Sequence, residues 1–153
     1  MDAIDRKILG LLQSDSSMPI EDIARQAGLS PSPCWRRIQK LEAAGVIKAR
    51  VALLDPVKMN VGVTVFVAVR TNQHNAQWAE RFCREVRKIP EVVEFYRMSG
   101  ETDYLMRVVV PDIAAYDRVY QRLIKVIDLF DVSSNFAMEC IKYTTALPTH
   151  YAE

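Results

Sequence analysis

Residues 30–50 carry Arg36, Arg37, Lys40, Lys48 and Arg50 against a single acid, Glu42, in a chain of 153 residues whose formal net charge is only +1. The global charge argues for no polyanion, but a local excess of four positive charges has the sign that phosphates attract. Among these cations stand Ser32, Trp35 and Gln39. Arginine can bridge O6 and N7 of guanine and glutamine can pair with N6 and N7 of adenine, so this stretch has the chemistry of base reading.

Other chemistries find little support. Cys34, Cys83 and Cys140 lie far apart without C-x-x-C spacing, and only His74 and His150 could join them, so neither a zinc site nor a disulfide framework is indicated. Each cysteine reads as a small buried residue, although a helix N-terminus and nearby arginine would also lower the Cys34 thiol pKa and make a redox sensor of it. No Ser-His-Asp or Cys-His constellation is recognisable, His74 sits in a polar linker and His150 in the tail, so the chain reads as no enzyme and implies no cofactor. No apolar run reaches the roughly 18 residues of a membrane span, and Asp2, Asp5, Arg6 and Lys7 lack the order of a signal peptide. A cytoplasmic protein without membrane contact is expected.

The basic cluster needs a rigid support, and the sequence supplies helices. Ile4, Ile8, Leu11 and Leu12 recur at helical spacing behind Asp2, a capping residue, which predicts a helix over 3–14. A second short helix follows Pro19, placed as its first helical residue, with Ile20, Ile23, Ala24 and Ala27 on one face and Gly28 ending it. Ser30 as N-cap and Pro31 as first residue open a third, running to about Ala44, with Cys34, Ile38 and Leu41 inward and Gly45 as its stop. Ala24-x-x-x-Gly28-x-Ser30 is a helix-turn-helix pattern: a small residue for close packing, a glycine for the turn, a capped helix at once. The third helix would enter the major groove with Ser32, Trp35, Arg36 and Gln39 at base edges and Ser30, Arg37 and Lys40 at phosphates. Trp35 packed on a neighbouring helix is the competing placement.

Gly45-Val46-Ile47 and the β-rich residues after it predict a wing and a linker strand over 51–60. Gly62–Arg70 is β-branched and apolar, as a central strand should be. Residues 76–89 place Trp78, Phe82, Val86 and Ile89 at helical spacing before Pro90. Val92–Met98 and Tyr104–Val110 predict two strands around a short turn. Asp112 caps a helix through Ile127, and Val132–Tyr143 forms the last strand. The order βαββαβ is ferredoxin-like, an α+β arrangement with two helices on one face of an antiparallel sheet. An apolar uncovered face is usually buried by another copy, so a dimer at least is expected. The domains read as 1–50 for DNA binding, 51–60 as linker, 61–145 as the α/β domain and 146–153 as a tail.

The chain resembles the Lrp/AsnC, or feast/famine, transcription regulators over nearly its whole length. The resemblance rests on Ile4-Asp5-Arg6-Lys7-Ile8-Leu9, Gly28-Leu29-Ser30, Arg37-Ile38-x-x-Leu41-Glu42-x-x-Gly45-Val46-Ile47, Leu54-Asp55-Pro56, Ser99-Gly100-x-x-Asp103-Tyr104 and Met138-Glu139-x-Ile141-Lys142. Within the family, Ser32–Arg37 and the ending from Ile141 to Pro148 are most similar to the branch that controls cysteine desulfuration and detoxification genes. The resemblance implies DNA-binding dimers, often assembled into octamers, with an amino acid or related metabolite held between C-terminal domains. It assigns Gly100, Glu101, Thr102, Asp103, Ser134 and Met138 to that effector. The assignment suits an amino acid: N–H donors at the Gly100 turn for its carboxylate, Asp103 or Glu101 for its ammonium. An ordinary hairpin turn would look the same.

Two departures stand out. Ser17-Met18-Pro19 replaces an arginine and serine common before the second helix, and Asp128–Asp131 replaces a Pro-Gly before the last strand, so the turn there must differ. The expected function is a sequence-specific transcription regulator modulated by an amino acid, cysteine among the candidates. An architectural DNA-binding protein with little base preference, or an effector-binding assembly module that does not read DNA, are the competing readings.

Overall fold

The structure is a computed structural model that describes residues 1–126 and 131–152. The chain forms two compact units, residues 1–52 with 141–153, and residues 53–140.

The first unit holds α1 (Ala3–Ser14), α2 (Ile20–Ala27) and α3 (Pro31–Ala43). Asp2 caps α1 reciprocally: its carboxylate accepts from the Asp5 N–H at 2.8 Å, and its own N–H donates to the Asp5 carboxylate at 3.1 Å. Pro19 stands one position earlier than expected, as the N-cap of α2, where a residue with ψ of 146° cannot be helical. Gly28 ends α2 in the left-handed region at φ 76°, and the Leu29 N–H reaches back to the Ala24 carbonyl at 2.8 Å. Ile8, Ile23, Ala24, Ala27, Cys34 and Ile38 form the shared core.

After α3 no strand forms over residues 48–60: Val51, Leu53 and Leu54 are 65–70% exposed, and the chain closes in a turn in which the Asp55 carbonyl accepts from the Met59 N–H at 3.0 Å. The expected wing and linker strand are therefore absent: among the described residues no strand pairs with residues 48–54, and residues 55–60 bond among themselves as a turn.

The second unit is a four-stranded antiparallel sheet of β1 (Val63–Arg70), β2 (Val92–Arg97), β3 (Tyr104–Val110) and β4 (Asp131–Phe136), in the order β2-β3-β1-β4. Helices α4 (Ala76–Val86) and α5 (Ile113–Val126) cover one face. Alternation along the strands sends Val65, Val67, Val69, Met106, Val108 and Val110 into the core with Phe82, Val86, Val119 and Leu123. The opposite face shows Phe66, Leu105, Arg107 and Tyr96, and neither helix of this unit covers it. This is the expected ferredoxin-like order. Asp112 caps α5 through the Ala115 N–H at 2.7 Å, while the expected end of that helix at Ile127 and the departure at Asp128–Phe130 lie outside the described residues.

The last strand is shorter than expected. It stops at Phe136, because β1 begins at Val63 and offers a final bond, Thr64 carbonyl to Ala137 N–H, before its edge ends. Residues 138–143 stay exposed. The tail then joins the first unit: the Gln13 side chain donates to the Leu147 carbonyl at 3.1 Å and accepts from its N–H at 2.7 Å, and Arg6 donates to the Ala152 carbonyl.

Candidate DNA interface and effector-site residues

The exposed arc of α3 is built by its buried one. Cys34, Ile38 and Leu41 face the core, so Ser32, Trp35, Arg36, Gln39 and Lys40 must point outward, and all five are exposed. Trp35 is 55% exposed, which removes the competing placement against a neighbouring helix. The Ser30 hydroxyl makes no capping bond and is exposed at the N-terminal end of α3, where free N–H groups favour anions. A cleft of about 670 Å³ opens along the flank of this helix, lined by Asp5, Arg36, Arg37 and Lys40 among others.

Arg37 differs from its neighbours. Its guanidinium donates to Asp2 at 2.6 Å and to Asp5 at 2.7 Å, clasping α3 to the start of α1. The clasp raises the Arg37 pKa through its hydrogen bonds to the Asp5 and Asp2 carboxylates, and the Asp5 N–H together with Arg37 hold the Asp2 carboxyl below its ordinary value. Expected at a phosphate, Arg37 is occupied within the protein. The signal was present in the sequence as two acids three residues apart at a helix start. Gln39 is also engaged, donating to Glu42 at 2.9 Å. Cys34 is fully buried and desolvation pushes its thiol pKa up despite Arg37, so it packs as a core residue and is not an activated thiolate.

The residues expected at the effector do not gather in one chain. Gly100, at φ 106°, and Glu101 are exposed in the turn after β2. Thr102 is half-buried. Asp103 accepts from the Thr71 N–H at 2.7 Å, and its own N–H donates to the Val69 carbonyl at 3.0 Å, so its carboxylate fastens the turn to the end of β1. Ser134 points under α5 and hydrogen-bonds the Tyr116 hydroxyl. Met138 is 96% exposed and follows the far end of β4, roughly 20 Å from the Gly100 turn at strand rise. A separate cleft of about 520 Å³, lined by Glu91, Val110, Pro111, Ala115, Arg118 and Arg122, includes none of these six. Among the described residues no His/Cys/Asp/Glu group could hold a metal, and no helix is long and apolar enough to cross a membrane.

Residues 1–42 match the AsnC-type helix-turn-helix domain and residues 64–147 the Lrp/AsnC ligand binding domain. The chain belongs to the Lrp/AsnC family. It is 48% identical over 149 residues to the DNA-binding transcriptional activator DecR of Escherichia coli, covering 97% of this chain and 98% of that one. It is 47% identical over 148 residues to the glutamate uptake regulatory protein of Zymomonas mobilis, covering 97% and 90%. An AsnC family transcriptional regulator from Agrobacterium tumefaciens superimposes with a TM-score of 0.97 at 62% identity over 100% of both chains. A transcriptional regulator from Neisseria meningitidis, solved as its L-Met complex, gives 0.93 at 36% identity over 98% and 97%. This family member is accordingly a DNA-binding transcriptional regulator of an oligomeric, amino-acid-responsive class and not an enzyme.

Proposed function

We propose that this regulator reads operator DNA with the outer arc of α3, placing Ser32, Trp35, Arg36 and Gln39 at base edges and Ser30 and Lys40 at phosphates, with Arg37 holding the helix in place. The observation that carries the reading is the uninterrupted exposure of polar, basic and indole groups on one helix face over an apolar core. A helix meant for protein contact would show an apolar or mixed-charge face instead.

The C-terminal domain pairs through its uncovered sheet face, and dimers assemble to an octamer in the cytoplasm. The effector is an amino acid held between copies by the Gly100–Asp103 turn of one and Ser134 and Met138 of another, since the roughly 20 Å between the turn and Met138 defeats a small ligand in one chain. Cysteine is the first candidate, through the resemblance of residues 32–37 and 141–148 to the branch that controls cysteine desulfuration genes, and methionine the second, through the L-Met complex of the Neisseria regulator.

The test is a titration of the pure protein onto the DNA upstream of its own gene and its neighbours, with and without each amino acid, at fixed salt. Competitor-resistant binding shifted by one amino acid is expected. Binding abolished by random competitor DNA would leave the architectural reading in its place.

A further inference from the structure

We propose that Glu42 sets the base preference of the DNA-reading helix, as a positioning residue that acts through Gln39 and Arg50. The inference rests on the reading that Gln39 meets a base edge. Glu42 is the one acid in residues 30–50. One of its carboxylate oxygens accepts from the Gln39 amide nitrogen at 2.9 Å, and the other accepts from the Arg50 guanidinium at 2.9 Å.

The physical consequence concerns orientation. A glutamine amide on an exposed helix rotates broadly about its last torsion and can present its donor or its acceptor to a neighbour. Beside a carboxylate only the nitrogen end is favourable, so Glu42 fixes which way the amide lies. One of the two N–H groups is used, which leaves one N–H and the Oε1 for a base. That donor–acceptor pair is the one that meets N7 and N6 of adenine.

The second oxygen serves the same end. Arg50 lies in the extended segment after α3, where no strand pairing holds the chain, and its ion pair ties that segment to the helix. It also neutralises a carboxylate that would otherwise repel phosphates next to the reading face. With Arg50 45% and Glu42 33% exposed, the pair contributes little to stability, so its value lies in placement.

The experiment compares the full chain with Q39A, E42A and E42D on an operator fragment carrying each single base-pair substitution, alongside random DNA. Q39A flattens the preference at one base pair. E42A removes the carboxylate and E42D keeps its charge but shortens its reach, so both lose about three- to tenfold of the discrimination at that same base pair. E42A alone gains affinity for random DNA, because only it deletes a negative charge. Undiminished discrimination in both Glu42 variants overturns the proposal. So does an even loss at every base pair with a lower melting temperature, which would make Glu42 part of the scaffold. A Q39A protein that discriminates like the parent overturns it differently, by removing Gln39 from the groove altogether.

Discussion

In the first unit the side chains expected at DNA project from a single helix, whereas in the second those expected at the effector are spread over both ends of a sheet. The difference follows from how each surface is made. A helix repeats its face every three to four residues, so one buried stripe of Cys34, Ile38 and Leu41 forces the complementary stripe into solvent. A sheet sends its ends and its two faces in separate directions, and Gly100, Ser134 and Met138 fall on different ones. The proposed DNA surface lies on one chain, whereas the proposed effector surface needs more than one.

If that contrast is right, assembly should matter to one region and hardly to the other. Phe66→Arg places a charge in the middle of the uncovered sheet face, where Phe66 is 40% exposed and register-paired with Arg107 on one side and Asn135 on the other. Sedimentation should then show loss of assembly and calorimetry loss of amino-acid binding, the largest effect expected. A monomeric variant that still binds its amino acid at full strength would place the effector site within one chain. On the DNA side, Arg36→Ala should cost about 1–3 kcal/mol at the cognate site and relax one base preference. Lys40→Ala should weaken every sequence evenly and lower the salt slope by about 1. Equal behaviour of the two on specific and random DNA would remove Arg36 from base reading.

The helices and the sheet order were legible because each rests on local signals: the Asp2 cap, Gly28, Pro31, and the apolar, largely β-branched runs at residues 63–70 and 104–110. What could not be read depends on pairing over distance. The start of the segment at 51–60 is β-prone, yet among the described residues it pairs with no strand and the rest closes in a turn, and residues 138–143 lose their partner where β1 ends. Arg37 looked like its neighbour Arg36 in sequence; the acids Asp2 and Asp5 stood out at a helix start, but only the fold shows that Arg37, more than thirty residues later, is the side chain within 2.7 Å of them. The same holds for Gln13 and Leu147, separated by 134 positions, and for Ser134, whose hydroxyl is taken by Tyr116. Polar side chains advertise their chemistry but not their partner.

The tail sharpens the comparison, since it follows the ligand-binding unit in sequence and yet packs within the DNA-binding one. Gln13 closes on both backbone groups of Leu147, a pairing that resembles one rung of a sheet. Removing residues 147–153, or changing Gln13→Ala, should lower the protection of α1 amides from hydrogen exchange by on the order of 1 kcal/mol, with no change at β1 or β3. Unchanged α1 protection would mean that the tail rests on the helix without supporting it.

The smallest effect expected concerns the clasp between α1 and α3. Asp2 has a folded pKa below its ordinary value of 3.8, lowered by the Asp5 N–H and by Arg37. A depressed carboxyl contributes its stability fully above the unfolded pKa and loses it as pH falls through the folded one. The clasp should therefore hold unchanged from neutral pH to about pH 4 and weaken only below 3.8. Asn in place of Asp2 keeps the cap but cannot titrate, so Asp2→Asn should shift the acid unfolding of α1 resonances while leaving their behaviour near pH 7 little changed. Identical acid transitions in the two proteins would assign the acid sensitivity of this unit to other carboxylates. A large loss already at neutral pH would show that the ion pair with Arg37, and not the cap, holds the helix start in place.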